Sequence, residues 1–481
     1  MNTLTITWIA LPFFIGFVIY LLPQLDRLLA LGMAIVSAGF AMLLLVGPFA
    51  QAPVNLQLLE TFGVALSADS LSGYFILTNA LVTAAVILYC WQSGKSAFFY
   101  GQAIILHGSV NATFVCSDFI SLYVALEVLS IAAFLLIAYP RTDRSIWVAL
   151  RYLFISNTAM LFYLVGAVLV YKAHHSFEFD GLRGAPPEAL ALIFLGLLVK
   201  GGVFVSGLWL PLTHSESEAP VSALMSGVVV KAGIFPLVRC ALVLEEIDPI
   251  VRIFGAATAL FGVVDAVFEK DTKRILAFHT VSQIGFIMAA PEVGGFYALT
   301  HGLVKAALFL CAGSLPSRSF KVLQQQRIDR GLWVALVIAS FSISGFPLLS
   351  GFGAKVLTMK SLVPWQVIAM NLAAFGTAIS FAKFIFLPHG VADPPQKIPA
   401  GFWPAVVTLL GGLVIANVAY YEAYTWGNVV KPLVTIGLGW IAYWLVFRRT
   451  NLVFPRLLEQ FEHLMGWMTL MLILLFWMAL A

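Results

Sequence analysis

The chain has 481 residues, of which 61% are hydrophobic and only 10% carry a formal charge, with a net charge of +4. A soluble domain carries about 25% charged residues, so this composition excludes a soluble globule and identifies an integral membrane protein of the all-α class. The basic residues lie in short loops rather than in one patch, so nucleic acid is not an implied partner.

Runs of about 17 to 25 apolar residues cross the hydrocarbon layer as helices, the only option where no barrel alternation is present. No basic n-region of a cleavable leader precedes the first run; MNTLTITW leads directly into it. In chain order the predicted spans are 3–23, 28–49, 71–92, 98–117, 119–138, 147–171, 191–210 and 221–244. They continue with 250–268, 273–290, 296–314, 332–362, 365–388, 402–421, 432–447 and 464–480. These sixteen form four blocks: N-terminal helices in 1–97, a first helical unit in 98–244, a second in 250–388, and C-terminal helices in 402–481. Loops after odd-numbered spans hold fifteen Lys and Arg residues, and loops and ends after even-numbered spans hold six. Basic loops stay cytoplasmic, so both termini are expected to be extracytoplasmic, in a plasma (inner) membrane.

Two spans are irregular. The seventh runs into the polar, twice-prolyl stretch Trp209–Pro220, and the twelfth is interrupted by Gly345-Phe-Pro-Leu-Leu-Ser-Gly-Phe-Gly353. Proline and glycine free backbone groups that membrane tolerates only against protein or a wet cavity. Breaks at matching places in two halves mark a transport path.

Five lysines, Lys200, Lys231, Lys305, Lys355 and Lys383, lie within apolar spans, and Glu127 is the carboxylate well inside one. Such a charge costs about 2.5–3.5 kcal/mol at mid-membrane and is a functional candidate by default. Desolvation pushes these groups toward neutrality and an opposite charge pushes back, which is the behaviour a proton relay requires. The plain alternative is snorkelling to the interface, which suits Lys383, close to Pro388. Lys200 and Lys231 sit one helix apart, as do Lys355 and Lys383, suggesting two copies of one proton-handling unit. Lys305 follows His301 by four residues and shares its helix face. With His279, these histidines are suited to carry protons between the units; the plain reading of each is a structural hydrogen bond. His107 has no such neighbour and reads as structural.

No phosphate loop or CxxC cluster is present, and Cys90, Cys116, Cys240 and Cys311 have neither metal-ligand nor disulfide spacing. No cofactor, no metal and no bond-making catalysis are expected of this chain.

The stretches LYVALEVLS, LVKGG, WLPLTHSESEAPVSALMSGVVVKAG, DTKRILAFHTVSQIG, THGLVKAALFLCAG and GFPLLSGFGAK resemble, in order and spacing, one family across 119 to about 360. It is the family of antiporter-like proton-translocating subunits of complex I, membrane-bound hydrogenases and Mrp-type cation/proton antiporters. The resemblance implies two inverted five-helix units with broken seventh and twelfth helices. It matches Glu127, Lys200, Lys231, His279, His301, Lys305 and Lys355 to proton-translocating positions, with Lys383 and His214 as accessory candidates. It further implies partner membrane subunits and exchange of H⁺, with Na⁺ as the expected counter-ion. The runner-up is a proton-pumping, non-redox subunit of a complex I-like quinone oxidoreductase. His214-Ser-Glu looks like the complex I version, whereas the overall length and Lys355 in place of Glu look like the Mrp-type antiporter version. Two departures stand out: Leu212-Thr213 replaces the Asp-Ala that often follows Trp-Leu-Pro, and residues 422–481 add two spans to the usual fourteen. This tail is expected to bind a partner subunit.

Overall fold

The computed structural model describes residues 2–480 apart from 59–62, 392–396, 451 and 453; the extreme termini Met1 and Ala481 lie outside the described residues. Twenty α-helices follow one another among the described residues. The first ten are α1 (Asn2–Leu21), α2 (Asp26–Leu45), α3 (Ser70–Cys90), α4 (Ala97–Thr113), α5 (Phe119–Ile137), α6 (Asp143–His174), α7 (Pro187–Gly201), α8 (Leu210–Glu216), α9 (Ala219–Leu224) and α10 (Val230–Val243). Then come α11 (Asp248–Phe268), α12 (Thr272–Ala289), α13 (Gly294–Gly313), the short α14 (Phe320–Leu323), α15 (Arg330–Ser344), α16 (Ser350–Lys360), α17 (Gln366–Ile385), α18 (Phe402–Ala419), α19 (Trp426–Ala442) and α20 (Phe461–Leu480). Two small pairings occur in loops: β1 (Val54–Gln57) runs antiparallel to β2 (Ala65–Ala68), and β3 (Ile328–Asp329) runs parallel to β4 (His389–Gly390).

Thirteen helices among the described residues are long and apolar enough to cross a membrane. The other three expected spans are helical too, each with its own reason for falling short. The helix α4 has 17 residues, α12 carries Lys273, Arg274, His279 and Gln283, and α15–α16 is broken in the middle.

Side chains at the N-termini start these helices. Asp69, Asp271 and Asp329 each accept a backbone N–H of the first turn, and Thr142 forms a capping box with Ser145. Asp118 accepts N–H groups from Ile120 and Ser121 at 3.0 and 2.7 Å and from Ala65 at 2.9 Å, so the β1–β2 hairpin is tied to the start of α5.

Water is not the force that joins helices in lipid; close backbone approach is. A Cβ at Gly262 of α11 would sit 2.4 Å from the Ser282 nitrogen of α12. His107 is fully buried and structural in its bonding: Nδ1 lies 3.1 Å from the Thr83 hydroxyl and Nε2 2.8 Å from that of Ser37. All four cysteines are free and buried.

The tail, expected to face a partner, touches its own chain along one side and leaves most of its surface open. In the structure α20 lies against α7 and α6, while α19 lies along α17 and is otherwise largely exposed. Charge holds α20 there. Arg274 donates to Glu269 at 2.7 Å and to both carboxylate oxygens of Glu459, one at 3.0 Å, and Arg151 donates to the Glu459 carbonyl.

Candidate functional site

Two helices are discontinuous, and both end their first half on a glycine in the left-handed region: Gly202 (φ +67°) after α7 and Gly345 (φ +82°) after α15. Only glycine adopts that conformation without Cβ strain. The first break lies nine residues before Pro211, the position at which the sequence pattern puts the polar interruption. Pro211 instead occupies the first turn of α8, where its missing N–H is not needed. Between them Phe204–Trp209 forms a 3-10 turn. Its groups satisfy carbonyls released by the break: Ser206 Oγ donates to Val203 O at 2.6 Å, and Trp209 Nε1 to Val199 O at 2.9 Å.

Lys200 projects from the last turn before this break and is buried. Its ammonium donates to Ser156 Oγ at 2.5 Å and to Ser130 Oγ, and lies 4.0 Å from Glu127 Oε1. Glu127 keeps about a fifth of its side chain exposed, so the pair joins a dry cation to a partly buried carboxylate. Ser130 and Ser156 are not among the residues that sequence reasoning singles out. Ser130 lies three residues from Glu127 on the same helix face, and that spacing is the available signal; Ser156, on α6, leaves none.

Lys231 is one helix further on. A π-turn over Met225–Val229 precedes it, and its ammonium donates to the Ser226 carbonyl at 3.1 Å. The two lysine helices touch backbone to backbone: a Cβ at Gly233 would lie 2.3 Å from Gly201 N.

Beyond Lys231 runs a buried series. Lys231 and Lys305 lie within electrostatic reach of His301, as does His279; Lys305, Lys355 and Lys383 in turn reach His279. Lys305 donates to the Leu276 carbonyl and lies 5.1 Å from the centre of the Phe309 ring, on which His214 stacks at 4.9 Å. Neither ring nitrogen of His214, His279 or His301 has a hydrogen-bond partner among the described residues. That contrasts with His107, both of whose ring nitrogens are engaged by hydroxyls.

Lys355, on the second half of the broken α15–α16 helix, folds its stem over Gly345 and places its ammonium 5.5 Å from the Phe286 ring centre. It has no hydrogen-bond partner among the described residues, and the same holds for the hydroxyls of Ser342, Ser344 and Thr358. Lys383 differs. Its buried ammonium reaches the end of α11 and donates to the carbonyls of Val267 at 2.6 Å and Glu269 at 2.8 Å, capping that helix.

Several charges counted as loop residues in the sequence are committed to ion pairs or buried carbonyls. Lys273 donates to Ser217 O at 2.6 Å, and Arg239 makes a two-pronged pair with Asp69 at 2.7 and 2.9 Å. Burial alone would raise the Asp69 pKa, but Arg239 and the Ser72 N–H outweigh it and hold the carboxyl below its ordinary value.

The part of the chain that builds this geometry is shared with known proteins. The family described as "NADH:quinone oxidoreductase/Mrp antiporter, TM" matches residues 116–380, more than half of the chain. The chain is 28% identical to an Na(+)/H(+) antiporter subunit of Alkalihalophilus pseudofirmus, over 74% of this chain and 80% of that one. It is 30% identical to an NADH-quinone oxidoreductase subunit of Desulforudis audaxviator, over 71% and 77%. Its fold is similar to a chain of the Mrp complex from a Dietzia species (TM-score 0.78, 22% identity, 97% of this chain and 59% of that one). It is also similar to a chain of an archaeal membrane-bound sulfane sulfur reductase (TM-score 0.76, 21% identity, 92% and 99%). The stretch from Cys116 to Ser380 encloses both breaks and every buried lysine of the series except Lys383. The chain therefore belongs to the NADH:quinone oxidoreductase/Mrp antiporter family of polytopic membrane subunits.

Proposed function

We propose that this chain is the proton-translocating membrane subunit of a multisubunit cation/proton antiporter, exchanging H⁺ for Na⁺ across the plasma membrane with both termini extracytoplasmic. The observation that carries the reading is the Lys200–Glu127 pair beside the first helix break, followed by a series of buried lysines and histidines with few or no acceptors. Family membership and the Na(+)/H(+) antiporter relative supply the cation half.

The work is done by charge, not by bond making. A negative Glu127 stabilises the protonated form of Lys200; protonating or displacing Glu127 removes that support, and desolvation then favours release of the Lys200 proton. Release toward Lys231 passes the charge to His301, Lys305 and His279, and onward to Lys355 in the second unit. The units 98–244 and 250–388 each contribute one break and one lysine beside it; Lys383 and His214 are accessory. An unpartnered imidazole with a neutral-range intrinsic pKa suits the intermediate steps.

The chain is expected to need its partner subunits. Liposomes holding the whole complex should show ΔpH-driven Na⁺/H⁺ exchange, and liposomes holding this chain alone should show none. Robust exchange by the single chain would refute the multisubunit reading. The quinone oxidoreductase relative at 30% identity supports a second reading, a redox-driven pump module. Flavin or iron–sulfur subunits co-purifying from native membranes would establish that reading in place of the antiporter.

A further inference from the structure

A cavity of about 1070 Å³ lies between α3, α13 and α18, outside the lysine series. All of its charged lining residues lie at one end. Asp69 precedes α3, Arg239 is in the last turns of α10, and Glu292 precedes α13; Tyr420, just past α18, and Tyr74, in the second turn of α3, add two phenols. Below this rim the walls are apolar, made by Leu77, Leu81, Leu299, Leu303 and Val407. The polar side chain deepest in the cleft, Thr408, donates its hydroxyl to the Pro404 carbonyl at 2.8 Å and offers the cleft no donor.

The dimensions identify an occupant. From Ser70 at the rim to Leu81 on the wall is eleven residues of α3, or about 16 Å of helix rise. Half of a bilayer's hydrocarbon core is about 15 Å. The cleft thus has the depth of one leaflet. It is open along its side, where Val407 and Ile415 are 64% and 73% exposed, and inside a membrane that side faces acyl chains. The rim carries both signs of charge, with Arg239 paired to Asp69 and Glu292 paired to Arg252. A zwitterionic headgroup matches such a rim, its phosphate toward the guanidinium and phenols and its ammonium toward the carboxylates.

We propose that this cleft is a specific binding site for one zwitterionic phospholipid, seated with its headgroup among Asp69, Arg239, Tyr74 and Tyr420 and an acyl chain against Leu81 and Leu303. Gly411 lines the cleft, and a Cβ there would meet nothing within 4 Å, so a large side chain at 411 enters the cleft without displacing the fold. Gly437, on α19, is equally open and lies outside it.

The whole complex, purified in a mild detergent and supplied with phosphatidylethanolamine, is analysed by native mass spectrometry with ejection of this subunit. One phosphatidylethanolamine is expected to stay bound, its occupancy falling about tenfold in Gly411→Trp and unchanged in Gly437→Trp. A photoreactive label on Gly411→Cys is expected to cross-link to lipid. A wild-type subunit with no adduct, equal occupancy in Gly411→Trp, or cross-linking of the label to a neighbouring subunit would each overturn the proposal.

Discussion

Lys200 shows how a buried cation is both supported and left mobile. Two hydroxyls and a carboxylate surround it, and hydroxyls accept from an ammonium but also accept its proton's departure, since each can turn to donate. Glu127→Gln keeps the shape and removes the charge; Lys200→Ala removes the carrier. Each single change is expected to abolish most exchange per folded complex, and the double change to be little worse than either, as residues acting as a unit behave. Near-normal rates in both single variants, measured in membrane vesicles across a pH series, would defeat the assignment. A second residue-scale effect concerns the rim of the bundle. The folded-state pKa of Asp69 is lowered, so its contribution to stability is fully present above the unfolded value of about 3.9 and is lost as pH falls through the folded value. The complex should therefore lose thermal stability as pH falls below about 4, and Asp69→Asn should flatten that part of the profile. A profile with the same slope in the variant would show that the loss comes from elsewhere. Neither the two serines nor the Arg239–Asp69 pair has a sequence signature strong enough to read. Arg239 and Asp69 stand 170 positions apart, and nothing short of the fold joins them.

At the scale of elements, the two interrupted helices and the contact between α7 and α10 decide what the lysines face. The glycine-rich interruption of 345–353 is legible because Gly and Pro cluster there, and α15 does end at Ser344 with α16 starting at Ser350. The first break is legible only as an existence. Prolines at 211 and 220 draw attention, yet each falls in the first turn of a short helix, where proline is at home, and the chain actually turns at Gly202. The neighbouring Gly201 explains the choice of site: it meets Gly233 of α10 at a separation that leaves no room for a methyl group. Gly233→Ala should therefore push α10 away from α7 and shift Lys231 relative to Lys200. Overpacking of this kind costs about 1–3 kcal/mol, to be read as a lower melting temperature of the complex together with reduced exchange per folded complex. Normal values for both would mean that the helices separate without consequence.

Across the whole molecule, the order of helices is set by alternation across the membrane, and the last helix departs from a simple reading. The α20 segment crosses back over the first unit and is held by Glu459 between Arg274 and Arg151, so it covers the outer side of α7 beside the first break. Of the two extra spans, α20 thus lies on this chain's own first unit and α19 on α17 of the second, and each keeps most of its surface uncovered by this chain. Orientation in the membrane is tested directly by labelling. Single cysteines at Ser93 and Thr142 are expected to react from the cytoplasmic side, and one at Ser176 from the outside. Reaction of all three from one side would refute the sixteen-span topology.

Hydropathy and the cost of charge in lipid made the class, the spans, the buried lysines and the second break readable from the chain alone, because each is a local property of composition against a uniform solvent. The family resemblance, carried by ordered motifs, extended that to the expected roles. The tertiary structure alone decided which of those charges are paired. It gave Lys383 the carbonyls of α11, tied Lys273 and Arg239 into contacts far away in sequence, and left His214, His279 and His301 without partners among the described residues while satisfying His107. Partners of a buried polar group come from whichever helices happen to face it, and in a bundle those are set by glycine-permitted backbone approaches between distant segments rather than by neighbours along the chain.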